Sequence, residues 1–471
     1  MSMFADIPVG VGEVYSGERI RWQDTYVEFG GLRVPYKFEL VKVRKMDEVE
    51  DGKITIIGPD IKDLEPQKSY PLGIFIEVAG SQLEEELEGV VERRIHEYTN
   101  YIEGMMHLNQ RYDIWIRLSK RSFEKGLNSF HVIGKVYQRL FKMELPIIEK
   151  IQITFITDPE KIKEMYDYAL KEYEKRDARA RGLKDEEVDA FYGCTLCQSF
   201  APTHVCVITP QRYSNCGAIS WFDARASARI DPKGPVFKIE KGECADSIKG
   251  EYNGVNEVVK MKSGGEIQRV WLYTAFGYPH TSCGCFEAVA FYIPEVDGFG
   301  IVHRGFTENT PIGIPFSKLA DSTAGGRQID GFHGISIEYM RSQKFLQADG
   351  GWERVVWVPS AVLERVKDFV PKHLLDKIAT EKDAKNVEEL KNFLVVKGHP
   401  IVKRWEEKAK AEVVAKPVEE KAVPASAVAA PEVTAEMVAP VTVGAVGGFR
   451  IILKNAKIRA EKVKIIRAKE K

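Results

Sequence analysis

Cys194-Thr195-Leu196-Cys197-Gln198-Ser199-Phe200-Ala201-Pro202-Thr203-His204-Val205-Cys206, continued by Asn215-Cys216-Gly217, is the stretch from which the rest of the chain is read. It is completed by Thr281-Ser282-Cys283-Gly284-Cys285-Phe286-Glu287. Six of the seven cysteines fall in these runs, and only Cys244 lies outside them. Packing residues do not crowd in this way. The first four read C-x2-C-x8-C-x9-C, in which one tight turn supplies two thiolates and separate loops supply two more. That suits a cubane iron–sulfur cluster, which takes four thiolate corners. A structural zinc site is the competing reading, although zinc ribbons usually bring their ligands as two close pairs.

Cys283-Gly284-Cys285 carries a sharper signal. Two cysteines separated by one glycine do not both fit the corners of a relaxed tetrahedral site. They can wrap a planar metal with two thiolates and two intervening backbone amides, and glycine permits the close backbone approach. A planar N2S2 set selects nickel(II) or copper(II) over zinc. Alone, such a tripeptide is equally a redox pair; beside a four-cysteine motif it points to a second metal.

Together these runs resemble the active-site signature of the acetyl-CoA synthase family, most closely the beta subunit of the archaeal acetyl-CoA decarbonylase/synthase complex. The resemblance extends to about residue 400 and implies one reaction. A methyl group, carbon monoxide and coenzyme A are condensed into acetyl-CoA, or acetyl-CoA is cleaved, by an acyltransferase. It implies that Cys194, Cys197, Cys206 and Cys216 hold a [4Fe–4S] cluster and that Cys197 also bridges to a proximal nickel. Cys283 and Cys285 would bind a distal nickel through their sulfurs and through the amides of Gly284 and Cys285. Phe200 matches a phenylalanine close over the proximal nickel, though ordinary packing also explains a phenylalanine there. Trp115, Arg117 and Arg121 resemble a tryptophan-bearing strand associated with coenzyme A, where an indole can stack on adenine; a strand edge with snorkelled cations is the plainer account. His204 and His280 flank ligands and read either as donors toward sulfur or as satisfied structural residues. A CO dehydrogenase subunit and a methyl-donating corrinoid iron–sulfur protein are the implied partners. The chain departs from the bacterial enzymes in lacking their large N-terminal domain.

Composition agrees with a soluble cytoplasmic protein. The chain has 471 residues and a net charge of −1, which offers no overall attraction to nucleic acid. No apolar run approaches a membrane span, and the N-terminal residues lack the pattern of a secretory signal. An odd cysteine count in such a chain argues for reduced thiols.

Outward from the cysteines, the expected fold is α+β or mixed α/β, with two globular domains, a disordered linker and a short basic C-terminal segment. Residues 1–185 read as an α/β domain. Strands are expected near residues 36–41, 74–78, 114–118 and 151–156. A long amphipathic helix is expected from a Ser81/Glu84 capping box through Leu83, Leu87, Val91, Ile95, Tyr98 and Ile102. On it Arg93, Arg94 and His96 read as surface residues. Asp158-Pro159-Glu160 opens another helix, with Ile162, Met165, Ala169 and Tyr173 inward. Residues 186–405 read as the cluster-binding domain, with strands near 205–208, 270–276, 288–293 and 301–303 and closing helices near 361–370 and 387–395. The Gly-rich run at 324–334 lacks the Lys-Ser/Thr ending of a phosphate loop and reads better as a close-packed loop near the metal site. Residues 406–446, rich in Ala, Val, Lys, Glu and Pro, read as a tether. Residues 447–471 read as a basic tail, either solvated or a docking peptide for an acidic partner.

Two other classes compete with the acyltransferase. An iron–sulfur electron-transfer protein would contain iron without nickel, and a zinc-containing nucleic-acid module would show salt-dependent binding.

Overall fold

Period-two alternation builds the sheets of the first half of the chain. Lys37–Val43 pairs in parallel with Leu72–Ala79, which pairs antiparallel with Lys150–Ile156, and Ile54–Ile57 joins the far edge. A second four-stranded sheet runs in the order Ser69–Tyr70, Thr25–Gly30, Trp115–Ser119, Met105–His107. Helices Phe130–Glu144 and Pro159–Ala178 pack on this half. The second begins as its sequence dictates: the Asp158 carboxylate accepts from the N–H groups of Glu160 and Lys161, and Pro159 occupies the first turn. Ile162, Ala169 and Tyr173 are buried, and Met165 is half-buried against them.

In the second half, Ala190–Cys194 is the centre of a three-stranded antiparallel sheet between Cys206–Ile208 and Val236–Glu240. A further sheet runs in the order Phe332–Ile335, Ala288–Ile293, Gly298–His303, Val355–Trp357. The architecture is therefore mixed α/β with several sheets. This computed structural model describes residues 3–405 together with Glu407, all within one compact unit. The expected tether and basic tail lie outside the described residues.

Two expectations fail. The first long helix is Glu88–Asn100, entered through a 3-10 turn at Glu85–Leu87. Ser81 does not cap it, because its hydroxyl and N–H both donate to the Glu149 carboxylate. Residues 270–276 are apolar but form no strand. Their N–H groups turn from one partner to the next: Trp271 donates to Tyr278 O, Leu272 and Tyr273 to Gly250 O and Lys249 O, and Ala275 to the Asp349 carboxylate. An apolar run becomes a strand only where one partner can continue the ladder.

Helix Glu88–Asn100 also corrects the placement of its polar face, which is buried as thoroughly as its apolar face. Arg93 is 1% exposed, and Arg94 and His96 are buried too. One side meets a lattice of ions. Lys42 reaches Glu88 at 3.0 Å and Arg176 reaches Glu88 at 3.0 Å and Glu92 at 2.7 Å. Arg111 grips Asp177 at 2.9 Å and faces the remaining Glu92 oxygen at 3.7 Å. The N–H groups of Val41 and Val43 donate to Glu92 and Glu88, tying the lattice to a strand. The other side of the helix faces the cysteines.

Candidate metal and acetyl-transfer site

The six motif cysteines are all buried, whereas Cys244 is exposed. Cys194 ends one strand and Cys206 begins the next, and the two stand directly opposite in antiparallel register. Cys197 follows Cys194 in a tight turn whose N–H groups close back on it: Phe200 and Ala201 both donate to Cys197 O. Cys206 Sγ accepts the Asn215 N–H at 3.4 Å, and Ser214 Oγ lies 3.3 Å from Cys216 Sγ. These contacts bring the first four cysteines into one buried cluster.

Cys283-Gly284-Cys285 joins them from a separate loop. Gly284 has φ +117°, and a Cβ there would stand 3.2 Å from Ala324 Cβ, so the tripeptide needs its glycine. Cys285 N donates to Cys283 Sγ at 3.3 Å, which puts the amide and thiol of the pair on one edge. The Gly-rich run packs directly on this loop. Gly326 N donates to Ser282 O at 2.8 Å, and Gly334 N donates to Ser282 Oγ at 2.9 Å.

Cys197 links the two groups. Its thiol hydrogen-bonds with Cys283 and Cys285, and these contacts together with Arg93 hold it well below the ordinary thiol range. Cys283 is pushed up by the same sharing of hydrogen bonds, and Cys285 is pushed up to about 12. Arg93 Nη2 lies 3.3 Å from Cys197 Sγ and adds a positive charge that favours the thiolate there. Burial raises Cys194, and raises Cys206 to about 12.

The donor set can be weighed against the metals that the sequence suggests. Among the described residues no group of three or more His, Cys, Asp or Glu side chains forms a ready coordination shell. The fit therefore rests on donor chemistry. Six buried soft donors are gathered without disulfides. Around them, Arg93 Nη1, Arg304 Nη1 and His204 Nε2 are buried without a hydrogen-bond partner among the described residues. Buried donors left open beside thiols suit acceptors that the polypeptide alone does not supply.

A cleft of about 930 Å³ opens over this centre, with Cys283, Gly284, Cys285, Phe200 and Trp115 in its wall. The structure thus brings Phe200 and Trp115 to the cysteines. The Trp115 indole donates to Glu28 at 2.7 Å, so its orientation is fixed. Arg117 pairs with the same carboxylate at 2.8 Å and is stacked between Trp22 and Trp115, away from the cleft. Arg121 is exposed beside a second depression of about 380 Å³, which shares Glu18 and Arg19 with the first. His280 is satisfied by backbone, accepting from Val207 N at 2.9 Å and meeting Thr281 O through its other nitrogen. His204 Nδ1 pairs with Thr281 Oγ1 at 2.9 Å.

Arg93, His96, His107 and Arg304 line or support the site, and no motif in the sequence singles them out. Arg304 donates to Cys285 O at 3.2 Å. Arg93 lies 104 residues before its sulfur partner, so no local pattern announces the contact.

Comparison with known proteins identifies the family. The family described as "CO dehydrogenase/acetyl-CoA synthase complex beta subunit" matches residues 7–162, and the family of the C-terminal part of the ACS/CODH beta subunit matches residues 173–405. The chain is 55% identical over 468 residues to the acetyl-CoA decarbonylase/synthase complex subunit beta 2 of Methanocaldococcus jannaschii, covering 98% of this chain and 97% of that one. It is 53% identical over 466 residues to the corresponding subunit beta of Methanothermobacter thermautotrophicus, covering 99% and 100%. Among solved structures, the C-terminal domain of an acetyl-coenzyme A synthase alpha subunit is 39% identical over 26% of this chain and 95% of that one, with a TM-score of 0.24.

Proposed function

The chain belongs to the acetyl-CoA decarbonylase/synthase beta-subunit family, and on that premise we propose that it is an acyltransferase that assembles acetyl-CoA from a methyl group, carbon monoxide and coenzyme A, and cleaves it by the same route. In this reading Cys194, Cys197, Cys206 and Cys216 would hold a [4Fe–4S] cluster. Cys197, Cys283 and Cys285 would hold one nickel, and Cys283 and Cys285 with the amides of Gly284 and Cys285 would hold a second. Such a group supplies a soft, electron-rich metal for joining carbon fragments, chemistry that no side chain offers. The methyl group comes from a corrinoid iron–sulfur protein, a CO dehydrogenase subunit is the other partner, and the work is cytoplasmic.

The chain's own residues have definable tasks. Arg93 offsets negative charge on the thiolates from inside the protein, where a guanidinium acts strongly because solvent screening is weak. Phe200 narrows the cleft above the cysteines and helps to keep water out. Trp115 offers an indole face in the main cleft, and Arg19 and Arg121 place cations along the adjoining depressions, where the phosphates and adenine of coenzyme A would lie.

The observation that carries the reading is that Cys197, from the four-cysteine motif, meets Cys283 and Cys285 beneath the large cleft. The test is to count iron and nickel together in anaerobically prepared protein and to assay exchange of labelled CO with the carbonyl of acetyl-CoA. Cys197→Ala should abolish exchange and lose nickel while retaining more iron than Cys216→Ala. Iron without nickel and without exchange would make this an electron-transfer protein; nickel content and exchange unchanged in Cys197→Ala would remove the bridging role.

A further inference from the structure

Helix Glu88–Asn100 carries a second polar group to the cleft. His96 Nδ1 lies 2.6 Å from His107 Nδ1, and His107 Nε2 lies 2.9 Å from Glu39 Oε2. All three side chains are buried, with Glu39 at 0% exposure. Both histidines line the cleft that Phe200, Cys283 and Cys285 also line. Asn100 locks the pair: its amide donates to His96 O and His107 O, and its oxygen accepts from His107 N–H.

Proton counting ties the roles of both rings to Glu39, taken here as a carboxylate. A carboxylate at Glu39 accepts from His107 Nε2–H, which leaves His107 Nδ1 with a lone pair. Only a proton on His96 Nδ1 can then make the contact between the two rings. His96 Nε2 is left as a lone pair on a ring that lines the cleft. The charges around His96 explain why one imidazole would not suffice. Burial opposes an imidazolium most, and Arg93 on its own helix, His107 and Arg304 beyond strand Gly298–His303 oppose it further. The negative charge of Glu39 stands behind His107. His96 can therefore bind a proton at Nε2 at low cost only by passing its Nδ1 proton inward.

We propose that Glu39, His107 and His96 form a proton relay in which His96 Nε2 takes the proton of the coenzyme A thiol as acetyl-CoA is made and returns it when acetyl-CoA is cleaved. This rests on the reading of the cleft as the acetyl-transfer site. The thiol S–H breaks and sulfur keeps the electron pair as a thiolate, while a His96 Nε2–H forms. The His96 Nδ1 proton passes to His107 Nδ1, and the His107 Nε2 proton passes to Glu39 Oε2. Both imidazoles end neutral and Glu39 ends as a carboxylic acid; once the product has left, the proton returns along the same path and leaves from His96 Nε2 to water in the cleft. His96 is then a catalytic residue; His107 and Glu39 act through it.

The test uses metal-loaded full-length protein and the variants His96→Gln and Glu39→Gln. Three quantities are measured: iron and nickel content, methyl uptake from methylcobalamin without coenzyme A, and CO/acetyl-CoA exchange. Metal content and methyl uptake should be kept, because neither involves a thiol proton. Exchange near neutral pH should fall about 100-fold, the usual scale of general acid–base catalysis. The deficit should shrink toward about pH 10, above the ordinary thiol pKa of about 8.5, because an ionised thiol needs no base. Nitrogen-15 NMR of metal-free, histidine-labelled protein should show His96 protonated at Nδ1 and His107 at Nε2, a readout independent of turnover. Undiminished exchange, a deficit equal at every pH, or the opposite tautomers would overturn the relay. If Glu39→Gln does not fold, His96→Gln and the NMR measurement decide the matter. Unmodified protein that binds both metals yet performs neither methyl uptake nor exchange would overturn the acetyl-transfer reading itself, whatever the variants do.

Discussion

Helix Glu88–Asn100 separates two buried polar regions that are built on opposite principles. On one side Glu88, Glu92, Lys42, Arg111, Arg176 and Asp177 neutralise one another at contact distances, with two backbone N–H groups filling further acceptors. On the other side six buried thiols gather, with the Arg93 guanidinium at Cys197 and that of Arg212 beside Cys206, and Arg93 and Arg304 each retain an unpartnered nitrogen among the described residues. In the first region the two atoms that lack a hydrogen bond among the described residues, Glu92 Oε1 and Arg111 Nε, face each other at 3.7 Å, so the chain itself balances the charges and joins segments far apart in sequence. The second is left open in the way a site for an external group must be. Burial alone does not distinguish structural from functional polarity; the balance of partners does.

The comparison breaks most readily at Arg176. Arg176→Ala strands Glu88 and Glu92 in the interior without their shared cation, and it should cost about 3–5 kcal/mol of stability, read by denaturant unfolding of the metal-free protein. A loss within about 1 kcal/mol would mean that the lattice is not balanced in the sense argued. Gly284→Ala should cost less, about 1–3 kcal/mol for a side chain held at positive φ, and should lower nickel retention against a chelator. Unchanged melting and retention would show that the tripeptide tolerates a Cβ. Arg93→Met sharpens the contrast at the small end. In metal-free protein it should change stability by less than about 1 kcal/mol, or raise it, because a buried cation with few partners is removed. The same substitution should speed loss of iron and nickel from the loaded protein. A destabilisation of metal-free Arg93→Met as large as that of Arg176→Ala would make the two regions alike.

How legible each region is in sequence follows from the same contrast. Strand alternation and the Asp158-Pro159 cap are local signals and locate Trp115–Ser119, Lys150–Ile156 and Pro159–Ala178. The cysteines are equally local, because C-x2-C and C-G-C carry their chemistry within a turn. Arg93, Arg94 and His96 read wrongly as surface because their partners come from remote segments, among them Cys197, Glu144 and His107. A polar helix face has the same sequence whether it meets water or a buried counter-charge. The run at 270–276 misleads for the complementary reason: apolar composition reports burial but not the presence of a pairing strand.

The reach of the contacts at the thiol centre also bears on the order in which it can form. Arg93 and Cys197 are 104 residues apart, and Leu108 O meets Cys285 Sγ across 177 residues. Contacts of such separation come with a loop-closure cost that local turns escape, and they slow the folding steps that contain them. During vectorial synthesis the arginine emerges long before any of its sulfur partners, and Cys283-Gly284-Cys285 emerges after the other ligands. A nascent chain therefore presents thiols to metal ions before it presents the counter-charge and the cleft in their places. The stretch that is plainest in the sequence is among the last to become a site.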